Sequence, residues 1–198
     1  VWDFTLPDGP THRNHFGTVN NVGRFFGADQ KSEKYRDISM QYCKLMADHR
    51  INPPLPRDLL PSMNKDGSLK VTQENTEALK KFITEFHVTD FEIPRAPVKD
   101  PTTVNRDKAM KYYQDYHRFL KENGWDKRSY IYMHDEPNLK ENYEEVLAHG
   151  ELAHQASPEM RCLVVEQTYT QDPSWPDIDP AVDIWCPLFA FIDRDSIN

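Results

Sequence analysis

Two kinds of segment alternate along this chain, and that alternation most constrains what it can fold into. Short β-type runs are separated by longer stretches in which apolar residues recur at helical spacing. Tyr35, Ile38, Tyr42, Leu45, Met46 and His49 give one helical stripe, and Leu79, Phe82, Ile83 and Phe86 a second. Ala109, Tyr112, Tyr113, Tyr116, Phe119 and Leu120 mark a third, and Tyr143, Val146, Leu147 and Gly150 a fourth. Six candidate strands surround them, at Phe16–Val19, Arg50–Asn52, Asp90–Ile93, Tyr130–Tyr132, Cys162–Gln167 and Val182–Cys186. Such alternation argues for a parallel sheet covered by helices. A doubly wound sheet would announce itself by a glycine-rich phosphate turn after its first strand, and none is present. Polar or charged residues stand instead at strand C-terminal ends, at Asn52, Arg95, Glu136 and Glu166. A barrel carries its chemistry at that edge. The expected fold class is therefore α/β, a (β/α)8 TIM barrel truncated after about six strands of the eight that closure needs.

The opening residues hold Pro7, Gly9 and Pro10, and the chain starts at Val1 without Met. Residues 1–11 read as a linker from a missing N-terminal domain, and 12–198 as a partial barrel domain. Residues 53–70 form a proline-rich excursion closed by a turn at Lys65-Asp66-Gly67. Asn105 and Asn138 are expected to cap the third and fourth helices, the latter with Glu141 three places on. A net charge of −8 without a basic stripe argues against a nucleic-acid partner. No apolar run reaches membrane-spanning length. Cys43, Cys162 and Cys186 lack metal-like spacing and read as buried thiols. His12 and His15 are spaced like ligands, but no acid or cysteine accompanies them, so neither a metal nor any other cofactor is expected.

The chemistry concentrates in Tyr130-Ile131-Tyr132-Met133-His134-Asp135-Glu136-Pro137. A strand ends there in two adjacent carboxylates, and Pro137 stops the ladder. Carboxylates beside an apolar core are costly unless paired or used. Two acids at one strand end suit glycoside hydrolysis, which needs an acid for the leaving oxygen and a second group at the anomeric carbon. Neighbours on a regular strand point to opposite faces, so the strand must bulge or bend for both to reach one pocket. Adjacent residues are also poorly placed to flank one bond from two sides. The better division makes Glu136 the general acid/base and gives Asp135 the N-acetyl group of the substrate, whose own carbonyl oxygen attacks. His134 could tune Glu136 or be a core histidine. Glu166 and Gln167 could line the pocket or face a loop. Trp185 could be a sugar platform or core filling, and Arg50 and Arg95 could hold substrate hydroxyls or pair with nearby acids.

The Asp135-Glu136-Pro137 motif, the opening Phe4-Thr5-Leu6-Pro7, His49-Arg50-Ile51-Asn52-Pro53 and Asp183-Ile184-Trp185-Cys186-Pro187 together resemble glycoside hydrolase family 123 and the larger, mostly uncharacterised domain family around it. The resemblance implies a barrel, usually preceded by a β-sandwich domain, and retaining β-N-acetylgalactosaminidase activity. It also favours a secreted or periplasmic setting and a glycan or glycolipid substrate. It assigns Asp135 to the acetamido group and Glu136 to proton donation. Two other readings stand beside this one. One is a two-carboxylate retaining glycosidase whose nucleophile lies downstream, and the other is a non-catalytic carbohydrate-binding barrel that relies on Trp185 and the arginines.

Overall fold

A computed structural model describes residues 5–14 and 22–188. The strand expected at Phe16–Val19 and the ligand-like His15 lie outside the described residues. The chain divides into two compact units. The first holds the chain up to Pro61 together with Val71–Glu92, and the second holds Ser62–Lys70 and the chain from Ile93 on.

In the first unit, α1 spans Val22–Phe25, α2 Glu33–Asp48 and α3 Gln73–Glu85. Both longer helices start as their sequences dictate. The Ser32 hydroxyl accepts from the Tyr35 N–H at 3.1 Å, and the Thr72 hydroxyl from the Asn75 N–H at 3.2 Å. α3 buries Leu79, Phe82 and Ile83, and the Phe82 and Phe86 rings pack at 4.6 Å. α2 buries Cys43 and Met46, while Leu45 of the expected stripe is exposed.

The strand expected at Arg50–Asn52 does not form. Arg50 adopts φ 58° and the Ile51 N–H donates back to Met46 O, so these residues complete the C-terminal stop of α2. Asn52 is buried and fully engaged. Its Nδ2 donates to Asp90 O at 2.7 Å and to Asn14 O at 3.2 Å, and its Oδ1 accepts from the Thr89 N–H at 2.8 Å. It clips three chain segments together, so its polarity is spent on backbone.

The second unit opens with a hairpin, β1 (Ser62–Met63) against β2 (Leu69–Lys70), turned by Gly67 at φ 89°. The division between the units falls within β3 (Phe91–Ile93). There follow α4 (Arg106–Glu122), β4 (Ser129–Asp135), α5 (Lys140–Ala156), β5 (Cys162–Val165) and β6 (Ile184–Trp185). β3, β4, β5 and β6 form a four-stranded parallel sheet in that order. α4 buries the expected face, with the Tyr112 ring edge-on to both Tyr113 and Tyr116. Two of the polar tips are used locally, since the Tyr113 hydroxyl accepts from the Ala96 N–H and the Tyr112 hydroxyl donates to Pro94 O, while the Tyr116 hydroxyl is buried with no hydrogen-bond partner. α5 buries Tyr143, Val146, Gly150 and Ala153 at helical spacing.

Neither asparagine caps as expected. Asn105 stands at the N-cap of α4, but its Nδ2 donates to Lys99 O. The chain stays extended through Leu139, which is the N-cap of α5 and has no side-chain cap. Asn138 therefore sits one residue too early to reach the first free N–H groups. No helix among the described residues is long and apolar enough to cross a membrane.

Candidate active site

The site begins with an irregularity in β4. Tyr132 pairs with Leu163 and His134 with Val164, so Met133 is an extra residue against a single step of β5. Such a bulge interrupts the two-residue alternation of faces. As a result Tyr132 and Asp135, three apart, meet on one side, and the Tyr132 hydroxyl donates to Asp135 Oδ1 at 3.1 Å. On a regular strand these two side chains would point opposite ways.

The second irregularity is Glu136, which adopts φ 50°. That is the left-handed region, which a residue with a Cβ occupies at a cost of about 1–2 kcal/mol. Its N–H still donates to Val165 O at 2.9 Å, so the backbone remains tied to β5 while the chain turns out of the sheet. Pro137 is buried immediately afterwards. Asp135 and Glu136 are both exposed at the C-terminal edge of the sheet. His134 is half-buried, with Nδ1 3.1 Å from Asp135 O. A carbonyl oxygen only accepts, so Nδ1 carries a proton and donates across the turn.

The adjacent strand end supplies the buried acid. Glu166 follows β5 and is 2% exposed. Its Oε1 accepts from the Gln167 N–H at 2.8 Å and its Oε2 from the Gln171 side-chain amide at 2.9 Å. The same Gln171 amide donates to Pro137 O at 3.2 Å, which links the turn after β4 to the turn after β5. Burial pushes the Glu166 carboxyl above its usual range, the two hydrogen bonds oppose that rise, and the nearby Glu136 charge adds to it. The Tyr143 hydroxyl is buried beside the Gln171 backbone. Its phenol is pushed up by burial and then by the Glu166 charge. Trp175 packs edge-on against the Tyr143 ring at 5.0 Å.

Asp135, Glu136 and Glu166 are thus gathered at two neighbouring strand ends, with His134 and Gln167 beside them in the chain. Gln167 is buried. Trp185 is half-buried at the end of β6, paired in register with Val164. Arg95 is exposed and bonded to Glu145 of α5 at 2.8 Å. Arg50 belongs to the first unit, where its Nε donates to Pro7 O at 2.8 Å. Sequence reasoning missed Tyr132, Tyr143 and Gln171. Tyr132 carried a faint signal, since a required bulge also changes which neighbours share a face with Asp135. Metal-type donors gather at the other edge of the sheet, where His154, Cys162 and Asp183 converge.

No family model matches the chain, and no curated protein matches it significantly.

Proposed function

We propose that this chain is the acid-bearing part of a retaining glycoside hydrolase on a (β/α)8 barrel. It would remove terminal β-linked N-acetylgalactosamine, or a related N-acetylhexosamine, by substrate-assisted catalysis. The observation that carries the reading is the end of β4. There a bulge and a left-handed Glu136 present two adjacent carboxylates at the C-terminal edge of a parallel sheet. Strained backbone persists where the surrounding structure over-determines it, and it concentrates at functional sites. The strand order β3, β4, β5, β6 adds each strand beside the last, as a barrel requires, without the reversal of a doubly wound sheet.

In this reading Glu136 protonates the leaving oxygen and later deprotonates water. Asp135, oriented by the Tyr132 hydroxyl, accepts a hydrogen bond from the acetamido N–H. That contact turns the acetamido oxygen toward the anomeric carbon and strengthens as positive charge spreads onto nitrogen. Glu166 is the other carboxylate at hand, but both its oxygens are engaged and the side chain is buried. That environment suits a positioning group better than a nucleophile.

The test is inhibition by a thiazoline mimic of the cyclised intermediate, with a mass-spectrometric search for a trapped glycosyl ester. The reading expects the thiazoline to bind far more tightly than N-acetylgalactosamine, and no ester. Weak thiazoline binding together with a sugar ester on a carboxylate would overturn it in favour of a two-carboxylate mechanism. Binding of the free sugar without turnover of its aryl β-glycoside would favour a carbohydrate-binding barrel.

A further inference from the structure

At the N-terminal edge of the sheet, away from the acids, three segments bring different ligand types to one point. His154 comes from the last turn of α5, Cys162 opens β5 and Asp183 precedes β6. Their ligand atoms all lie within 4.8 Å of one another. The backbone fixes two of the three. The Asp183 N–H donates to Cys162 O at 2.9 Å, and Asp183 Oδ2 accepts the Cys162 N–H at 2.7 Å. The third is delivered by helix packing. Gly150 lets α5 approach so closely that a Cβ there would stand 2.4 Å from Ala181 O. His154 lies one turn further along the same face, and its Nε2 is 2.9 Å from Asp183 Oδ2.

We propose that His154, Cys162 and Asp183 form a binding site for a zinc-class divalent metal. A thiolate, an imidazole and one carboxylate suit zinc, whereas magnesium and calcium require a shell of oxygens. Two ligands with bonds of about 2.0–2.2 Å to a tetrahedral ion stand about 3.4 Å apart, so the Nε2–Oδ2 pair, now at hydrogen-bond distance, opens by about half an ångström to admit the ion. Cys162 Sγ closes the protein side of the site, because this residue is fully buried. Asp183 is partly open, which leaves room for water as the fourth ligand. Without metal the thiol is held protonated, pushed up to about 12 by burial and then by the Asp183 charge. A dication between the two reverses that preference. On binding, the thiol proton leaves to solvent, and the His154 nitrogen that ligates the ion carries no proton. The site is independent of the acids at the opposite edge, so its fate does not bear on the glycosidase reading.

The experiment is titration of the chelator-stripped protein with Zn²⁺ by calorimetry and with Co²⁺ by absorption. Thiolate-to-cobalt charge transfer in the near ultraviolet reports a sulfur ligand, and intense visible bands report tetrahedral geometry. One equivalent is expected, with the charge-transfer band present in the wild type and in the Cys43→Ser and Cys186→Ser proteins. Cys162→Ser should abolish the band. His154→Gln, at a half-exposed helix position that leaves the fold intact, should weaken Zn²⁺ binding by about 100-fold or more, since even outer-shell losses cost 10–100-fold. Failure to saturate at one equivalent, a band that survives Cys162→Ser, or unchanged affinity in His154→Gln would each overturn the proposal. Asp183 would then only clamp His154 to the Cys162 backbone through hydrogen bonds.

Discussion

Gly150→Ala tests how tightly α5 is seated in the second unit. In an exposed helix interior this change stabilises by about 1 kcal/mol, because alanine loses less backbone entropy than glycine. Here the new Cβ would meet Ala181 O at 2.4 Å, Ala181 Cβ at 2.6 Å and Ala181 Cα at 3.0 Å, where ordinary contact begins at 3.4 Å. Ala181 is itself fully buried, so it has nowhere to retreat. The helix must move out by roughly an ångström, which loosens Tyr143, Val146 and Ala153 along the same face. Overpacking of this kind costs about 1–3 kcal/mol. The clash involves backbone, so the upper end applies, and subtracting the propensity gain leaves a net loss of about 2 kcal/mol. For a chain of this size that lowers Tm by about 4–8 °C. Urea unfolding followed by circular dichroism measures it, with the slope checked for constancy. Ala181→Gly added to Gly150→Ala should restore only part of the loss, because it clears the Cβ contact and leaves the carbonyl contact. Unchanged or increased stability in Gly150→Ala would refute the close-approach argument. Complete rescue by the second substitution would show that the carbonyl oxygen does not set the limit.

Glu166→Gln should flatten the pH dependence of stability. A carboxyl whose folded pKa is raised binds more protons folded than unfolded, so the wild type loses stability as pH rises above the ordinary glutamate value of 4.5, and the variant lacks that slope in denaturation midpoints measured across the range. Asn52→Ala should cost about 2–4 kcal/mol by urea unfolding, because it strands the Asp90 carbonyl and the Thr89 N–H in a buried setting; a loss below about 1 kcal/mol would mean that water replaces the side chain. Asp135→Asn should lower turnover of an aryl N-acetylhexosaminide by about 100- to 1,000-fold with a smaller change in ground-state binding, the size of one preorganised hydrogen-bond partner; an equal loss in both would place Asp135 in substrate binding alone.

How much of this was legible in the sequence depends on which signals are local. Three helices end in the same way, with a residue in the left-handed region followed by an N–H that bonds back five residues. The bonds run from Ile51 to Met46, from Val88 to Ile83 and from Trp125 to Leu120. Only the third places glycine at the left-handed position, Gly124, and only there could the stop be read. Arg50 and His87 occupy that position in the other two, where side chain and backbone conformation disagree. At the first of these, the β-favouring Ile51 before two prolines then looks like a short strand. The acid edge was readable for the opposite reason. A run of β-type residues ending in two carboxylates and a proline is a local conflict between a buried strand and charge, and for two adjacent acids to reach one side of the sheet would demand an irregular strand end. The structure meets that demand twice, at the bulge and at Glu136. The neighbours of the third acid, Glu166, were not readable. Gln171 and Tyr143 reach Glu166 only through the turn after β5 and the packing of α5, and no spacing in the chain encodes either. The same holds for His154, Cys162 and Asp183. Their intervals follow no metal motif because the close helix approach at Gly150 and the Cys162–Asp183 backbone pair assemble them in three dimensions. In each case the residue carries its chemistry openly, while tertiary contacts decide what that chemistry is aimed at.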